Sequence, residues 1–276
     1  MPMASNCAIG IFDSGIGGLS VLRHIRSQLP LEDLLYFADS AHAPYGAKPE
    51  SVVVARSLAI ADFLLRRGAG SLVVACNTAT AAAISALRIA YPDVPVIGVE
   101  PGLKPASALT QSMIVGVLAT EGTLSSTKFL ALRERITAAT GVKFVLQPCT
   151  GLAMQVEQGE SRSPATAVLL RGFLAPLLQQ GADTLVLGCT HYPFVQPLIE
   201  VIIDTLTSRP IAIVDTGEAV ARQLQRLLHV DMHAVPSGHG TLQAFTTGTA
   251  ASLSSAFATL LNLVPEVTYV DTAADF

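Results

Sequence analysis

Short apolar runs alternate along this chain with longer amphipathic stretches, and that alternation leaves few folds open to it. Residues 8–12, 34–38, 71–75, 94–99, 114–118, 143–146, 184–187 and 211–214 read as strands. Most are nearly continuous in hydrophobicity, as strands covered on both faces are. Between them, residues 18–27, 49–67, 79–90, 127–139, 164–180 and 218–228 read as helices. Strand and helix in alternation predict an α/β architecture, with largely parallel sheets flanked by helices.

The pattern is also written twice. Gly68-Ala-Gly-Ser-Leu-Val-Val-Ala-Cys76-Asn77-Thr78 and Gly181-Ala-Asp-Thr-Leu-Val-Leu-Gly-Cys189-Thr190-His191 are apolar runs opened by glycine and closed by cysteine and polar residues. Their glycines stand 113 positions apart, and so do their cysteines. The segment Ile9-Gly-Ile-Phe-Asp13 resembles Val115-Gly-Val-Leu-Ala-Thr120 at an offset of 106. Val94-Pro-Val-Ile-Gly-Val-Glu100 resembles Arg209-Pro-Ile-Ala-Ile-Val-Asp215 at an offset of 115. These ordered offsets predict two similar domains, residues 1–101 with 208–276 and residues 102–207. Strand ends of both would then meet at an active site in the interdomain cleft.

Composition removes several classes of function. Of 276 residues half are hydrophobic and only 14% charged, which is not the balance of a disordered chain. The net charge is −4, and the lysines are only Lys48, Lys104, Lys128 and Lys143, so nucleic acid is not the expected partner. A small acidic molecule remains open, since a few backbone amides and hydroxyls can hold a carboxylate. Residues 69–87 are uncharged and long enough to cross a membrane. They contain Ser71, Asn77, Thr78, Thr80 and Ser85, however, and read better as a buried strand, a turn and a helix. Residues 240–265 are rich in Thr, Ser and Gly and make a poor span, so no membrane association is expected. No basic stretch followed by an apolar core opens the chain, so no signal peptide is expected. Cys7, Cys76, Cys149 and Cys189 show no CxxC spacing, in a chain too large to need disulfide staples. A cytoplasmic protein with reduced thiols is expected.

A cysteine that ends a strand before a helix lies near free backbone amides, which favour thiolate over thiol. Cys76 and Cys189 both have that setting in sequence and are read as a chemical pair. Cys7 and Cys149 are read as small apolar side chains of the core. The loop Asp13-Ser14-Gly15-Ile-Gly17-Gly18 follows the first strand. It lacks the P-loop lysine, and Ser20 stands where a dinucleotide fingerprint needs its third glycine. It is read instead as a loop whose amides approach a small ligand while Asp13 faces the cleft. His191 is placed to tune the second thiol or shuttle a proton. Glu157 reads as a helical carboxylate that the sequence alone does not distinguish from a surface one. His229, His233 and His239 match no common zinc spacing and read as a solvated helix end and loop. Neither a metal nor pyridoxal phosphate is called for, so no cofactor is expected.

Together these segments resemble the glutamate racemases, cofactor-independent enzymes of the aspartate/glutamate racemase superfamily. The resemblance is carried by Phe12-Asp-Ser-Gly-Ile-Gly-Gly-Leu19, Ala43-Pro-Tyr-Gly46, Ala75-Cys-Asn-Thr-Ala79, Val94-Pro-Val-Ile-Gly-Val-Glu-Pro101, Leu187-Gly-Cys-Thr-His-Tyr-Pro193 and Val214-Asp-Thr-Gly217. It implies that Cys76 and Cys189 are the catalytic pair, assisted by Asp13, His191 and Glu157. It implies that Asp13, Ser14, Tyr45, Gly46, Asn77, Thr78, Thr190 and His191 bind the substrate. The implied reaction interconverts L- and D-glutamate, with Cys76 deprotonating the D and Cys189 the L enantiomer. Supply of D-glutamate for peptidoglycan follows from the same resemblance. The chain departs from the family pattern at Ala38-Asp39-Ser40-Ala41-His42 and at Thr249. The extension tied to precursor activation in some relatives is expected to be absent, which leaves such regulation open. A homodimer is left open, since the sequence does not give the oligomeric state. Rival readings are another racemase or isomerase of the superfamily, and a two-lobed binding protein without catalysis.

Overall fold

A computed structural model describes residues 7–228 and 239–275, so His229 and His233 lie outside the described residues. In chain order the elements are β1 (Ala8–Asp13), α1 (Leu19–Gln28), β2 (Leu34–Ala38), α2 (Glu50–Arg66), β3 (Ala69–Val74), α3 (Asn77–Ala90), β4 (Val96–Gly98), α4 (Leu103–Leu109), β5 (Ile114–Ala119), α5 (Glu121–Ser125), α6 (Thr127–Thr140), β6 (Lys143–Pro148), α7 (Leu152–Glu157), α8 (Pro164–Gln179), β7 (Thr184–Gly188), α9 (Gln196–Leu206), β8 (Ala212–Val214), α10 (Gly217–Leu228), β9 (Leu242–Thr246), α11 (Ala250–Leu261), β10 (Glu266–Tyr269) and α12 (Thr272–Asp275). All eight expected strands are present, and so are the six expected helices. Two compact units result, Met1–Val99 with Gly217–Phe276, and Glu100–Thr216.

The first unit holds a six-stranded sheet in the order β10-β9-β2-β1-β3-β4, and the second a four-stranded sheet, β6-β5-β7-β8. Every strand pairing is parallel. The central strands are buried at nearly every position, which is why they read as unbroken apolar runs. β8 pairs with β7, so residues 212–214 belong to the second sheet, beyond residue 208, where the sequence reading returns the chain to the first domain. The chain rejoins the first unit at Gly217.

The duplication extends to register. Within each unit a central strand, the first of that unit, is flanked by the next two strands of the chain, and the fourth strand pairs outside the third. Gly10 of β1 lies opposite Leu72 of β3, and Gly116 of β5 opposite Leu185 of β7. Those residues differ by the same 106 and 113 positions that relate the sequence segments. A Cβ on Gly10 would stand 3.0 Å from Leu72 Cδ2, and one on Gly116 would stand 2.7 Å from Leu185 Cδ2. The same close approach is thus built at the same register position in both sheets. The glycines that open the repeated segments match as well. Gly68 and Gly181 have φ of 91° and 94°, a backbone that L side chains rarely adopt. Each turns the chain from the preceding helix, α2 or α8, towards the strand that leads to a cysteine.

The first core gathers Phe37, Phe63 and Phe245, whose rings meet edge to face at 5.1 and 5.2 Å. The second gathers Val115, Val117, Phe129, Phe144 and Val186. Helix ends are marked locally: Ser126 caps α6 by accepting from the Phe129 amide, and α6 stops at Gly141 with φ 74°. Ser163 caps α8, with Pro164 in its first turn.

Candidate active site

Parallel strands bring all their carboxyl ends to one edge of a sheet, where loops and helix starts leave backbone amides free. Asp13 ends β1, Asp39 follows β2, Cys76 follows β3 and Thr247 follows β9. In the second unit Cys149 follows β6 and Cys189 follows β7. Of the site residues singled out from the sequence, Asp13, Cys76 and Cys189 therefore fall on the carboxyl edges of their own sheets.

In the first unit Cys76 is the N-cap of α3, and its sulfur accepts the Ala79 amide at 3.4 Å. Fourteen residues of helix lie behind that sulfur, and their dipole is a setting that stabilises negative charge there. The Ser14 hydroxyl lies 3.9 Å from the sulfur. Asp13 is fully buried, and its Oδ2 accepts the Gly15 amide at 3.1 Å. Tyr36 donates its hydroxyl to the Gly15 carbonyl at 2.8 Å, and a Cβ on Gly18 would come within 2.7 Å of Asp13 Cβ. Gly18 thus permits a tight fold-back over Asp13. Asn77 donates Nδ2 to the Val99 carbonyl at 3.4 Å, while its buried Oδ1 has no hydrogen-bond partner. An orphaned acceptor beside the thiol is costly for folding and suited to a cationic ligand group.

Tyr45, with Gly46 next to it in the chain, is held by a network that the sequence reading did not find. Asp39, fully buried, accepts the Tyr45 hydroxyl at 2.6 Å and two bonds from Arg56, at 2.9 and 2.7 Å. Thr247 donates to the same carboxylate at 2.9 Å, and His42 Nδ1 lies 3.0 Å from it. Burial alone would raise the Asp39 carboxyl, but Arg56 and the hydroxyls outweigh it and hold it below the usual carboxylate range. The same burial and the carboxylate's charge push the Tyr45 phenol up, so it remains a neutral donor. The departure at residues 38–42 thus has a physical reading: His42 supplies one donor of a carboxylate cage. Asp39 directly after β2 was the available signal. Thr249 likewise has a local task, as N-cap of α11 accepting from the Ser252 amide.

In the second unit the arrangement differs. No α-helix begins at Cys189; a 3₁₀ turn over Tyr192–Phe194 intervenes, and α9 starts only at Gln196. The expected helix-terminal setting therefore holds for Cys76 and not for Cys189, because Pro193 and the turn divert the chain. Instead the Cys189 sulfur lies 3.6 Å from His191 Nδ1, and His191 Nε2 lies 2.6 Å from Glu157 Oε1. Glu157 ends α7, and the side chains of His191 and Glu157 are only 4% and 11% exposed. Burial alone would lower the imidazole, but its bonds to the thiol and to the carboxylate outweigh that and hold it well above the ordinary histidine value. Glu157 and His191 have metal-ligand chemistry, and they are bonded to each other. Thr190, the residue before His191, is buried.

Of the other two cysteines, Cys149 is buried as expected, whereas Cys7 is exposed, contrary to its reading as a core residue. It sits at the start of β1, where the strand leaves the sheet. His239 is held through its amide by Asp33 at 3.2 Å, away from any zinc pattern.

The sign of the His191 shift gives a stability prediction. A raised folded-state value contributes stability that is whole below about pH 6.5, the unfolded value. It is lost as pH rises through the folded value. In a Glu157→Gln variant that contribution shrinks. The melting-temperature gap between wild type and variant is therefore expected to be widest below that pH and to narrow in alkali. Melting curves that stay parallel across the range would contradict the coupling.

With this geometry in place, the chain can be set against known proteins. The sequence profile of the Asp/Glu/hydantoin racemase family matches residues 9–224. The chain belongs to this family. A glutamate racemase of Ectopseudomonas mendocina is 54% identical over 81% of this chain and 83% of its own length. Among solved structures, the glutamate racemase isoform RacE1 of Bacillus anthracis superposes with a TM-score of 0.86 at 31% identity, covering 98% of this chain and 99% of that one. The Escherichia coli glutamate racemase, solved with L-glutamate and the activator UDP-MurNAc-Ala, gives a TM-score of 0.81 at 32% identity over 96% and 97% of the two chains. These family members share both the two-domain α/β architecture and the length of chain that builds it.

Proposed function

We propose that this chain is a glutamate racemase, an isomerase that interconverts L- and D-glutamate without an added cofactor, using Cys76 and Cys189 as its two acid/base groups. The observation that carries this reading is the matched placement of the thiols. Each follows the corresponding strand of a duplicated sheet, and each has its own device for handling a proton. Inversion at an α-carbon requires a base on one face and an acid on the other, and the roles exchange with direction. Two like groups answer that requirement.

For D-glutamate, Cys76 starts as thiolate under the α3 amides and takes the α-proton, while Cys189 as thiol returns one on the opposite face. For L-glutamate the assignments reverse. His191, charged and backed by Glu157, stabilises Cys189 whenever that thiol has lost its proton. The negative charge that develops on the substrate is met by donors, for which Ser14, Tyr45, Gly46, Thr78 and Thr190 are proposed. The free Oδ1 of Asn77 suits the substrate ammonium, and Asp13 assists on the Cys76 side.

No described helix is long and apolar enough to cross a membrane. The reading carries with it a cytoplasmic location, a homodimeric assembly that sedimentation velocity tests directly, and supply of D-glutamate for peptidoglycan and so for cell-wall shape. Isotope exchange tests the activity. In deuterated water without cofactor, L-glutamate should gain α-deuterium as its optical rotation decays, and aspartate run beside it should not. Folded protein that leaves glutamate unchanged would refute the assignment, and preferential exchange into aspartate would transfer it to another member of the family.

A further inference from the structure

Val99 follows β4, and its amide and its carbonyl are both held by side chains of α3. β3 and β4 pair in a register that sets Val74 opposite Gly98, with Leu72 donating to the Pro95 carbonyl at 2.9 Å. Continued by one more rung, that ladder would send the Val99 amide to the Val74 carbonyl. The amide donates instead to the Thr80 hydroxyl at 3.0 Å, and the hydroxyl donates to the Val74 carbonyl at 3.2 Å. Thr80 is thus inserted between the two strand ends. Gly98 makes room for it, since a Cβ there would come within 2.5 Å of Thr80 Cγ2. The Thr80 amide also closes the first turn of α3 on the Cys76 carbonyl, at 2.8 Å.

The consequence falls on Asn77, three residues earlier and so on the same side of α3. The Val99 carbonyl accepts Asn77 Nδ2 at 3.4 Å. A carbonyl can only accept, so the carboxamide must turn its nitrogen to Val99 and its oxygen away. That oxygen is buried and has no partner, an arrangement that destabilises the fold unless a ligand donor meets it. We propose that Thr80 is a positioning residue for Asn77. Its hydroxyl sets the Val99 peptide groups apart from β3, the Val99 carbonyl holds the carboxamide nitrogen, and the carboxamide oxygen is thereby aimed at a ligand ammonium. The identity of that ligand rests on the glutamate reading above; the positioning does not. Without the hydroxyl, the Val99 amide pairs directly with the Val74 carbonyl and draws its own carbonyl away from Asn77. The carboxamide then turns about its Cβ–Cγ bond and presents its oxygen only part of the time.

The test sets Thr80→Val, which keeps the side-chain shape, beside Thr80→Ser, which keeps the hydroxyl; Thr80→Ala is a second variant without it. The chain's asparagines are Asn6, Asn77 and Asn262, so selective nitrogen-15 labelling leaves few side-chain amides to follow, and Asn77→Ala identifies the relevant one. The Asn77 side-chain signal keeps its position in Thr80→Ser and moves in Thr80→Val and Thr80→Ala. Kinetics supply the other arm. Thr80→Val raises KM for either glutamate enantiomer about tenfold, the scale of a weakened hydrogen bond to a charged group, and leaves kcat within about twofold. Thr80→Ser restores KM. In an Asn77→Ala background Thr80→Val changes KM by less than about twofold, since a residue that acts through Asn77 has nothing left to act on. A staple that merely held α3 to the sheet would show its full effect in both backgrounds. Additive effects on KM, or an Asn77 signal unmoved in Thr80→Val, would overturn the proposal. The spectrum needs no turnover, so an inactive protein whose Asn77 signal still follows Thr80 sinks the racemase reading and leaves the positioning role standing.

Discussion

A Cys189→Ala protein is expected to lose racemisation of L- and D-glutamate alike, by at least about 10³-fold, the scale of a missing general acid/base group. The losses in kcat/KM must be equal, because enantiomers have the same free energy and the equilibrium constant is fixed at unity. Isotope exchange need not be equal. Cys76, under the α3 amides, remains able to take and return the proton of D-glutamate on its own face, so slow deuterium entry into the D enantiomer with retention is expected, and none into the L enantiomer. The fold survives this change: Cys189 is small and buried, and removing one sulfur costs about 1 kcal/mol. The measurement is chiral separation and mass spectrometry of each enantiomer after incubation in deuterated water. Full activity in the variant would refute the two-thiol mechanism.

Asp39→Asn is expected to produce the largest loss of stability among single polar changes in the first unit. The carboxylate is fully buried and accepts from Arg56, Tyr45 and Thr247, with His42 at 3.0 Å. Neutralising it leaves the Arg56 guanidinium, whose side chain is 14% exposed, without its counter-charge. Removing one partner of such a pair costs about 3 kcal/mol, the lower end of the range for buried pairs, since Arg56 keeps some solvent. The pH dependence has a defined sign. A carboxyl held below its ordinary value contributes stability above about pH 3.8, and that contribution is lost as pH falls through the folded-state value. Wild type should therefore lose its advantage over the variant in acid. A urea midpoint unchanged at neutral pH would show that the cage contributes nothing. Because Tyr45 hangs from the same carboxylate, a rise in KM for glutamate is expected to accompany the destabilisation.

How much of this could be read in advance depended on which interactions were local. The strands at the centre of each sheet announced themselves, since burial on both faces demands an unbroken apolar run. β9 and β10 did not. Leu242–Thr246 turns only its last residues inward, and Glu266–Tyr269 lies at the sheet edge and is mostly exposed, so neither carries that signature. They become strands because β2 offers an open edge to β9, and β9 then offers one to β10. α9 and α11 were missed in a different way, the first behind a turn rich in proline, the second inside a run of Ser, Thr and Ala with no charge contrast between faces. At the site, the two cysteines were legible because spacing repeats in sequence as it does in space. Glu157 looked like any helical carboxylate, and only the fold sets it against His191.

What the sequence determined by itself was the α/β class, the duplication and the pairing of Cys76 with Cys189, because each rests on patterns within a strand's or helix's length of the chain. Only the tertiary structure decided how each thiol is equipped. Equivalent strand ends lead into a helix after Cys76 and into a 3₁₀ turn after Cys189, so one sulfur meets backbone amides and the other an imidazole. Asp39 with Arg56 and Glu157 with His191 join residues that are distant in the chain. No periodicity encodes such contacts, since burial and hydrogen bonding acquire their energies only when the elements pack.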